Sequence, residues 1–487
     1  MNTRIIVPIV VGILLSLFFL KGNARPVTLD EARVICEFHL TKFDKLPEFS
    51  VQSSQELNYN GMILGYIFDL EPQGYVIVPA LTRLPPVLVY SFESKFGNLV
   101  PANPLFELIT ADLARRIETA DMAAKSVTSK NEDTWKALLD DKIKPRVSPL
   151  FEQWPASGDG WLKTNWTQSF PYNNLCPMDP VTGLRSYAGC PATAMAQVMN
   201  FHGTTNDTHF DDADDYYHNY AGRQYWIDDD FDYAGFPSFP ELNTFLDTQN
   251  AHYECNTPLT DDDMAALTFA CGVAARQVFT SQGSGTFGVG QAYDAYLRFG
   301  CSTADLLDSN DADLFGRLSQ NIKDTLPAHL AVVDVDWATG HNMVVDGYNT
   351  DEYYHLNFGW GGSYNGWYLL PQEIPYDLTV IEGVVVDIMK KNITGTDYRN
   401  NLSPETYIYP NPSSGVVYLN YRLYSRSTVS FGIYKISGEN ILTCMLKDQA
   451  PGNHSLPLSF DSQPSGIYIY QIQTASHISS GKIIKME

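Results

Sequence analysis

Hydrophobic and polar positions follow different periods along four stretches of the chain. From Ile5 to Leu20 the residues are almost wholly apolar, behind Arg4 and ahead of Gly22-Asn23-Ala24. A membrane-spanning helix needs about 20 apolar residues. This run stops short, so residues 1–24 read as a secretory signal cleaved after Ala24. Next, between 25 and 145, Ala32, Ile35, Cys36, His39 and Leu40 form one helical stripe behind an N-cap at Thr28. Strand-like runs follow at 61–70, 75–79 and 87–91, then a charged, helix-like stretch over 104–141. Between 146 and 395 the spacing predicts helices over 191–202, 262–279 and 290–299, ahead of strands at 329–336, 342–348, 353–358 and 366–370. Beyond a linker at 396–404, residues 405–487 carry short alternating runs at 416–421, 428–436, 439–446, 466–474 and 481–486. Gly, Pro, Asn and Ser separate these runs, as in a small β-sandwich. The expected fold class is α+β for the first two units and all-β for the last. The basic, proline-bearing segment Lys142 to Pro149 reads as an exposed linker open to proteolytic nicking.

Composition narrows the classes of partner. The 487 residues hold 32 Lys+Arg against 56 Asp+Glu, a formal charge of −24. Phosphate binding needs a basic face, so nucleic acid and anionic membrane surfaces are not expected partners. Seven cysteines are too few for a disulfide scaffold, and their odd number leaves at least one thiol free. No CxxC or zinc-type Cys/His spacing occurs. The Asp- and Tyr-rich residues 210–233 match no calcium-loop spacing and read as a solvated acidic loop.

Chemistry concentrates around one cysteine. Pro191 suits the first position of a helix and Gly203 the position just past its end. Cys190 therefore opens a helix, where the dipole and free N–H groups favour thiolate, the form that attacks a carbonyl. A thiolate nucleophile needs a base. His202 lies twelve residues along the same helix, about 18 Å away at 1.5 Å per residue, too far to serve. His341, at the loop-to-strand edge after Gly340, is the best placed, and His355 is second. Asn357, on the same strand face as His355, could orient the His341 ring, and the next turn exposes Trp360 to pack over the pair. Upstream, the Gln168 amide is of the kind that donates to an oxyanion. Gly283-Ser284-Gly285-Thr-Phe-Gly288 matches GxGxxG, but a helical segment precedes it where a dinucleotide fingerprint needs a strand. A flexible loop lining a substrate cleft is the better reading.

Gly189-Cys190-Pro-Ala-Thr-Ala-Met-Ala-Gln, Gly340-His341-Asn-Met-Val-Val-Asp-Gly-Tyr and His355-Leu-Asn-Phe-Gly-Trp-Gly-Gly together resemble the streptopain family of papain-like cysteine peptidases. Trp166-Thr-Gln168 and Pro171-Tyr-Asn fit the same family. The resemblance implies a two-subdomain peptidase over 146–395, with Cys190 as nucleophile and His341 as general base. It makes Gln168 part of the oxyanion hole, and Asn357 and Trp360 supports of the histidine. The loop reading, apart from the resemblance, expects substrate contacts at Gly283, Ser284 and Gly285, with Gly340 beside the histidine; no cofactor or metal is expected. One departure stands out: Phe358 occupies a position where the family usually has Trp, so an indole N–H is lost. Residues 25–145 resemble the family's inhibitory propeptide through Gly74-Tyr-Val-Ile-Val-Pro-Ala and Val87-Leu-Val-Tyr-Ser91. Residues 405–487 resemble the C-terminal sorting domain of the type IX secretion system. That likeness rests on Tyr409-Pro-Asn-Pro-Ser-Ser-Gly415, Gly466-Ile-Tyr-Ile-Tyr470 and Lys482-Ile-Ile-Lys485.

The expectation is thus a secreted cysteine endopeptidase made as a zymogen. Its partners are protein substrates, its own propeptide and the outer-membrane export machinery. Two rivals share the same residues: a thiol acyltransferase or amidase, and a silent adhesin or inhibitor on a peptidase fold.

Overall fold

The computed structural model describes residues 25–59, 61–96, 110, 112–117, 125–140, 151–333, 340–370, 380–390, 407–423, 426–450, 452–459, 463–474 and 478–486. The expected signal at 1–24, the basic segment 142–149 and the linker 396–404 lie outside the described residues. The chain packs as two units. Of the described residues, one takes in 25–90, 110, 112–117 and 125–140, the other 91–96, 151–370, 380–390 and the described residues from 407 to 486.

The first unit opens with α1 (Leu29–Lys42). Thr28 Oγ1 accepts the Glu31 N–H at 3.3 Å, and the Glu31 carboxylate accepts the Thr28 N–H at 3.0 Å. This reciprocal cap stabilises a helix start by about 1 kcal/mol. The buried face is Ala32, Ile35, Cys36, His39 and Leu40, the stripe expected from the spacing. Strands β1 (Ser50–Tyr59), β2 (Met62–Glu71), β3 (Tyr75–Pro79) and β4 (Val89–Ser91) follow in sheet order, and α2 (Lys125–Leu139) comes last. β1 escapes prediction because only Leu57 of its ten residues is buried. Its antiparallel partner β2 holds it in place.

The second unit begins with β5 (Gln153–Trp154) and α3 (Cys190–His202). The hairpin β6 (Tyr216–Tyr220) and β7 (Arg223–Ile227) follows, then α4 (Phe231–Ala234), α5 (Phe239–Glu254), α6 (Asp261–Ala274) and α7 (Val289–Arg298). The segment expected to be a solvated acidic loop is therefore partly a two-stranded ribbon, and Arg298 clamps Asp214 beside it through two contacts of 2.6 Å. After β8 (Thr303–Asp308) and α8 (Leu314–Lys323) come β9 (Ala328–Val333), β10 (Gly340–Asn349), β11 (Tyr353–Asn357), β12 (Gly366–Leu369) and β13 (Val380–Met389). These strands run in the order β12-β11-β10-β9-β13-β8. Helix α3 packs on both α6 and β10, so the sheet and the helical layer share one core. Among the described residues no helix is long and apolar enough to cross a membrane.

The C-terminal part is all β: β14 (Tyr407–Tyr409), β15 (Val416–Leu423), β16 (Ser427–Lys435), β17 (Asn440–Gln449), β18 (Gly452–Ser459), β19 (Gly466–Gln473) and β20 (Ile478–Lys485). They form a three-stranded sheet, β14-β15-β18, and a four-stranded sheet, β17-β16-β19-β20. Val417, Leu419, Val429, Phe431, Ile433 and Ile472 fill the space between them. The alternation of Val417, Leu419 and Tyr421 along β15 puts every second side chain inside, as in a sandwich.

Close packing in the larger sheet makes one glycine a sharp probe. A Cβ on Gly347 would lie 2.6 Å from the His355 Cβ, 2.9 Å from the Asp159 carbonyl oxygen and 3.0 Å from the Trp367 ring. Gly347→Ala is expected to cost about 1–3 kcal/mol. Calorimetry would show the melting transition of the second unit several degrees lower, and an unchanged transition would refute the packing.

Candidate active site

Helix α3 is buried on every side from Pro191 to Met199. Ala and Met dominate it, so small and flexible side chains let α6 and β10 approach it closely. It starts at Gly189, whose φ of 89° is costly for any residue with a Cβ. A Cβ there would also meet Gln277 Oε1 at 2.9 Å and the Ser284 carbonyl oxygen at 3.1 Å. The helix ends at Gly203, with φ 61° and its N–H on the Asn200 carbonyl at 3.0 Å. Both ends are those expected from Pro191 and Gly203.

Cys190 is partly exposed at the first turn. Burial raises its thiol pKa. Hydrogen bonds from the Asn342 backbone and side chain, and from the Cys190 N–H, work in the opposite direction. Asn342 follows His341 on β10, so the nucleophile's helix start lies against the beginning of that strand. His341 is buried, and its Nε2 lies 2.9 Å from the Phe358 carbonyl oxygen. A carbonyl only accepts, so Nε2 carries the proton and Nδ1 the lone pair. The Phe358 ring stacks on the imidazole, with centroids 5.9 Å apart. Burial depresses the His341 pKa to about 4, against the Phe358 carbonyl, which raises it. At neutral pH both members are therefore uncharged in the full chain, although a helix N-terminus alone favours thiolate.

Asn342 also accepts from His329 Nε2 at 2.8 Å, and His329 Nδ1 is 3.1 Å from the Tyr296 hydroxyl. A buried polar chain thus runs from α7 through β9 to the cysteine. Its one legible sign was the position of Asn342 next to His341.

Gln168 lies close to the nucleophile through its backbone. Its carbonyl accepts the Ala188 N–H at 2.8 Å, two residues before Cys190. The Ala188 carbonyl in turn accepts from Gln277 Nε2 at 2.6 Å. Gln277 is fully buried, and nothing in its sequence setting marks it out. Loop residues Gly283, Ser284 and Gly285 lie against the same turn, with the Ser284 carbonyl facing Gly189. The Ser284 hydroxyl is spent inside the loop, accepting from the Thr280 N–H at 2.9 Å and donating to the Thr280 carbonyl at 3.1 Å. Gly283 and Gly285 have open space where a Cβ would stand. Gly340 is exposed at the edge of β10.

Asn357 bonds to groups other than the His341 ring. Its Oδ1 accepts from Gln197 Nε2 at 3.2 Å and from the Gly359 N–H at 3.1 Å, and its Nδ2 donates to the Thr164 carbonyl at 2.9 Å. The Phe358 carbonyl occupies the place expected for it. Gln197, two helical turns from Cys190, is the hub. Its Oε1 accepts from Thr164 Oγ1 at 3.2 Å and from the Trp166 N–H at 3.3 Å. Gln197 was legible as a buried polar residue seven positions after Cys190, on the same helix face. Trp360 sits on a loop of three left-handed glycines, Gly359, Gly361 and Gly362, tied down by the Gly361 N–H on the Trp166 carbonyl at 3.0 Å. Its indole N–H is buried without a partner.

His355 is excluded as the base. It lies opposite Gly347, six positions along β10 from His341, about 20 Å at 3.3 Å per residue. Its Nδ1 is 2.6 Å from Asp346 Oδ1. Burial alone lowers its pKa, but Asp346, with Asp159 and Glu93 farther off, outweighs burial and raises it. His355 is thus the partner of Asp346 in a buried network. Asp346 also accepts the Leu162 N–H at 2.9 Å, and Asp159 accepts the Ser91 hydroxyl at 2.7 Å. Among the described residues no group of three His, Cys, Asp or Glu side chains could hold a metal.

Residues 166–368 match the Peptidase C10 family, and residues 407–486 match the secretion system C-terminal sorting domain. The chain is 24% identical over 320 residues to thiol protease/hemagglutinin PrtT of Porphyromonas gingivalis, covering 62% of this chain and 33% of that protein. It is 23% identical over 343 residues to streptopain of Streptococcus pyogenes, covering 65% of this chain and 76% of streptopain. The chain therefore spans only a third of the length of the first of these relatives. Among solved structures, a fragment of prointerpain A from Prevotella intermedia aligns with a TM-score of 0.48 and 21% identity, over 70% of this chain and 99% of the fragment. The sorting domain marks a protein that is secreted or held at the outer cell surface.

Two outcomes test this geometry. Gln197→Leu leaves the Trp166 N–H without its partner, and one buried unpaired group costs about 1–3 kcal/mol. Urea unfolding is expected at a lower midpoint, and an unmoved midpoint would contradict the hub. Iodoacetamide labelling of Cys190 in the intact chain, followed by peptide mass spectrometry, is expected to be slow at pH 7. Its rate should still be climbing above the ordinary thiol range near about 8.5, whereas a plateau below pH 8 would show a preformed thiolate.

Proposed function

We propose that this chain, whose residues 166–368 belong to the Peptidase C10 family, is a secreted cysteine endopeptidase made as an inactive precursor. One observation carries the reading. Cys190 opens a buried helix against the start of β10, beside a histidine whose Nε2 is held by a backbone carbonyl. Nδ1 of His341 takes the thiol proton, and the thiolate attacks the carbonyl carbon of a peptide bond. The oxyanion is met by the Cys190 N–H and the Gln168 side chain, which the Gln168–Ala188 backbone bond keeps near the nucleophile. His341 then protonates the leaving amine. Water, deprotonated by the same nitrogen, releases the acyl group and restores the thiol. Gln197 and Asn357 act at one remove, by fixing the segments that carry these groups. Gly283 and Gly285 leave room for an extended substrate backbone, and Gly340 lies exposed at the edge of β10.

Residues 25–145 are read as the inhibitory propeptide. The packing of residues 25–90 and 125–140 as a compact unit of their own, ahead of the peptidase part, supports this. Protein substrates fit the family, and the C-terminal domain is the part addressed to the export machinery.

Time-resolved mass spectrometry of the purified full chain beside its Cys190→Ala variant tests the proposal. The wild type is expected to lose residues 25 to about 145 while the variant stays whole. After trimming by trace trypsin, His341→Ala is expected to lower casein hydrolysis by at least about 10³-fold, and Gln168→Ala by about 10²–10³-fold. A chain cleanly freed of residues 25–145 that still leaves casein intact would overturn the peptidase reading. Transfer of the acyl group to an added amine, in place of hydrolysis, would point to an acyltransferase.

A further inference from the structure

The described cysteines divide unequally. Cys36, Cys176, Cys190, Cys271 and Cys301 are free, while Cys255 and Cys444 form a disulfide. The two partners are 189 residues apart in sequence and belong to different parts of the second unit. Cys255 caps the C-terminal end of α5, and Cys444 lies in β17 of the all-β part. Their Cα atoms are 4.4 Å apart, inside the range that permits a bridge. Cys255 is 2% exposed and Cys444 1%, so solvent hardly reaches the bond.

The surroundings form a small interface. Cys255 is counted within the β-sandwich core beside Phe431 and Leu446, and Ala251, one turn earlier on α5, packs on the same core. Glu254 Oε2 accepts the Lys447 N–H at 3.2 Å, and Glu254 Oε1 lies 3.8 Å from Lys447 Nζ. An apolar contact, a covalent bond and a Glu–Lys contact thus meet where α5 ends on β17. The polypeptide itself joins the two parts only through residues 391–406.

We propose that the end of α5 is a docking surface for the chain's own C-terminal domain, and that this domain stays attached after the polypeptide is cut between 391 and 406. The product is a two-chain protein joined by Cys255–Cys444. A sorting domain connected through the linker alone would be shed by the same cut. The bond forms when the two thiols lose two electrons and two protons to an oxidised dithiol of the export compartment, itself reduced to a pair of thiols. A reducing dithiol reverses this: it returns two thiols to the protein and leaves as its own disulfide. The proposal does not depend on the peptidase reading, since no step of it uses Cys190.

The test uses full-length Cys190→Ala, which cannot trim itself through that thiol, with a recognition site for a sequence-specific protease inserted between Gly395 and Thr396. After complete cutting, denaturing electrophoresis without reductant is expected to show one species of undiminished mass. Dithiothreitol is expected to split it into a main chain and a C-terminal fragment. Mass spectrometry of an unreduced digest should contain a linked peptide pair carrying Cys255 and Cys444. Two separate species without reductant, or both cysteines recovered as alkylated thiols, would overturn the proposal. A cut Cys444→Ser variant, in the same background, is expected to separate without reductant. If it stays joined, some other bond holds the domain and the assignment to this pair fails.

Discussion

Everything at the candidate site depends on burying one helix completely. α3 has no solvent-facing side from Pro191 to Met199. A helix with a wet face can carry its polar groups there, but this one cannot. The side chain of Gln197 must find partners inside, and a buried unpaired amide costs about 1–3 kcal/mol for each group left unmade. Its partners are Thr164, Trp166 and Asn357, on two other segments. The same burial that stabilises the core therefore fixes the segment just before Gln168 and the turn after Asn357 relative to Cys190. Stability and site geometry come from one constraint.

Burial also sets the protonation state, and here magnitudes decide. A helix N-terminus is worth typically 0.3–1 kcal/mol to an anion, which is less than about one pK unit. Desolvation can move a buried group by up to about 3–5 units. Cys190 experiences both, along with hydrogen bonds from Asn342, and burial wins: the thiol is raised. His341 is pushed the other way, to about 4. The two shifts have one physical origin, the cost of a charge in a dry place, and both favour the neutral pair. Any change that admits water or a polar substrate near the pair favours its charged form.

What was legible in the sequence divides along physical lines. Local signals with a backbone mechanism held up: the Thr28 cap, the Pro191 start and the Gly203 stop all stand where they were expected. Alternating apolar runs gave β10, β11 and β12 within two residues of their ends. Elements whose placement is decided by tertiary partners were missed. β1 is one, with almost no buried residue of its own; α5 and α8 went unread although Phe239, Leu242 and Leu246 in the one, and Leu314, Leu318 and Ile322 in the other, fall on helical stripes. The helix expected to run to 279 stops at Ala274, because Arg276 turns left-handed (φ 47°) and brings Gln277 onto the Ala188 carbonyl. No glycine or proline marks that stop. Pairings between distant positions, such as Gln197 with Asn357 or Cys255 with Cys444, leave no trace in spacing at all.

The expectation that mattered most for the chemistry concerned Phe358, where a lost indole N–H put the support of His341 in question. The contact actually made is with the main chain. A backbone carbonyl at 2.9 Å holds Nε2, and that oxygen is present whatever side chain the residue carries. The side chain contributes a flat ring stacked on the imidazole, which Phe supplies as well as Trp. The carbonyl itself is positioned by its neighbours: the Phe358 N–H donates to Asn365 Oδ1 at 3.0 Å, and the next N–H, of Gly359, donates to Asn357 Oδ1. Asn357 thus acts on the histidine through the peptide that follows it, without touching the ring. Orientation of the imidazole is vested in backbone geometry fixed by two asparagines, which is why an aromatic exchange at 358 leaves the base in place.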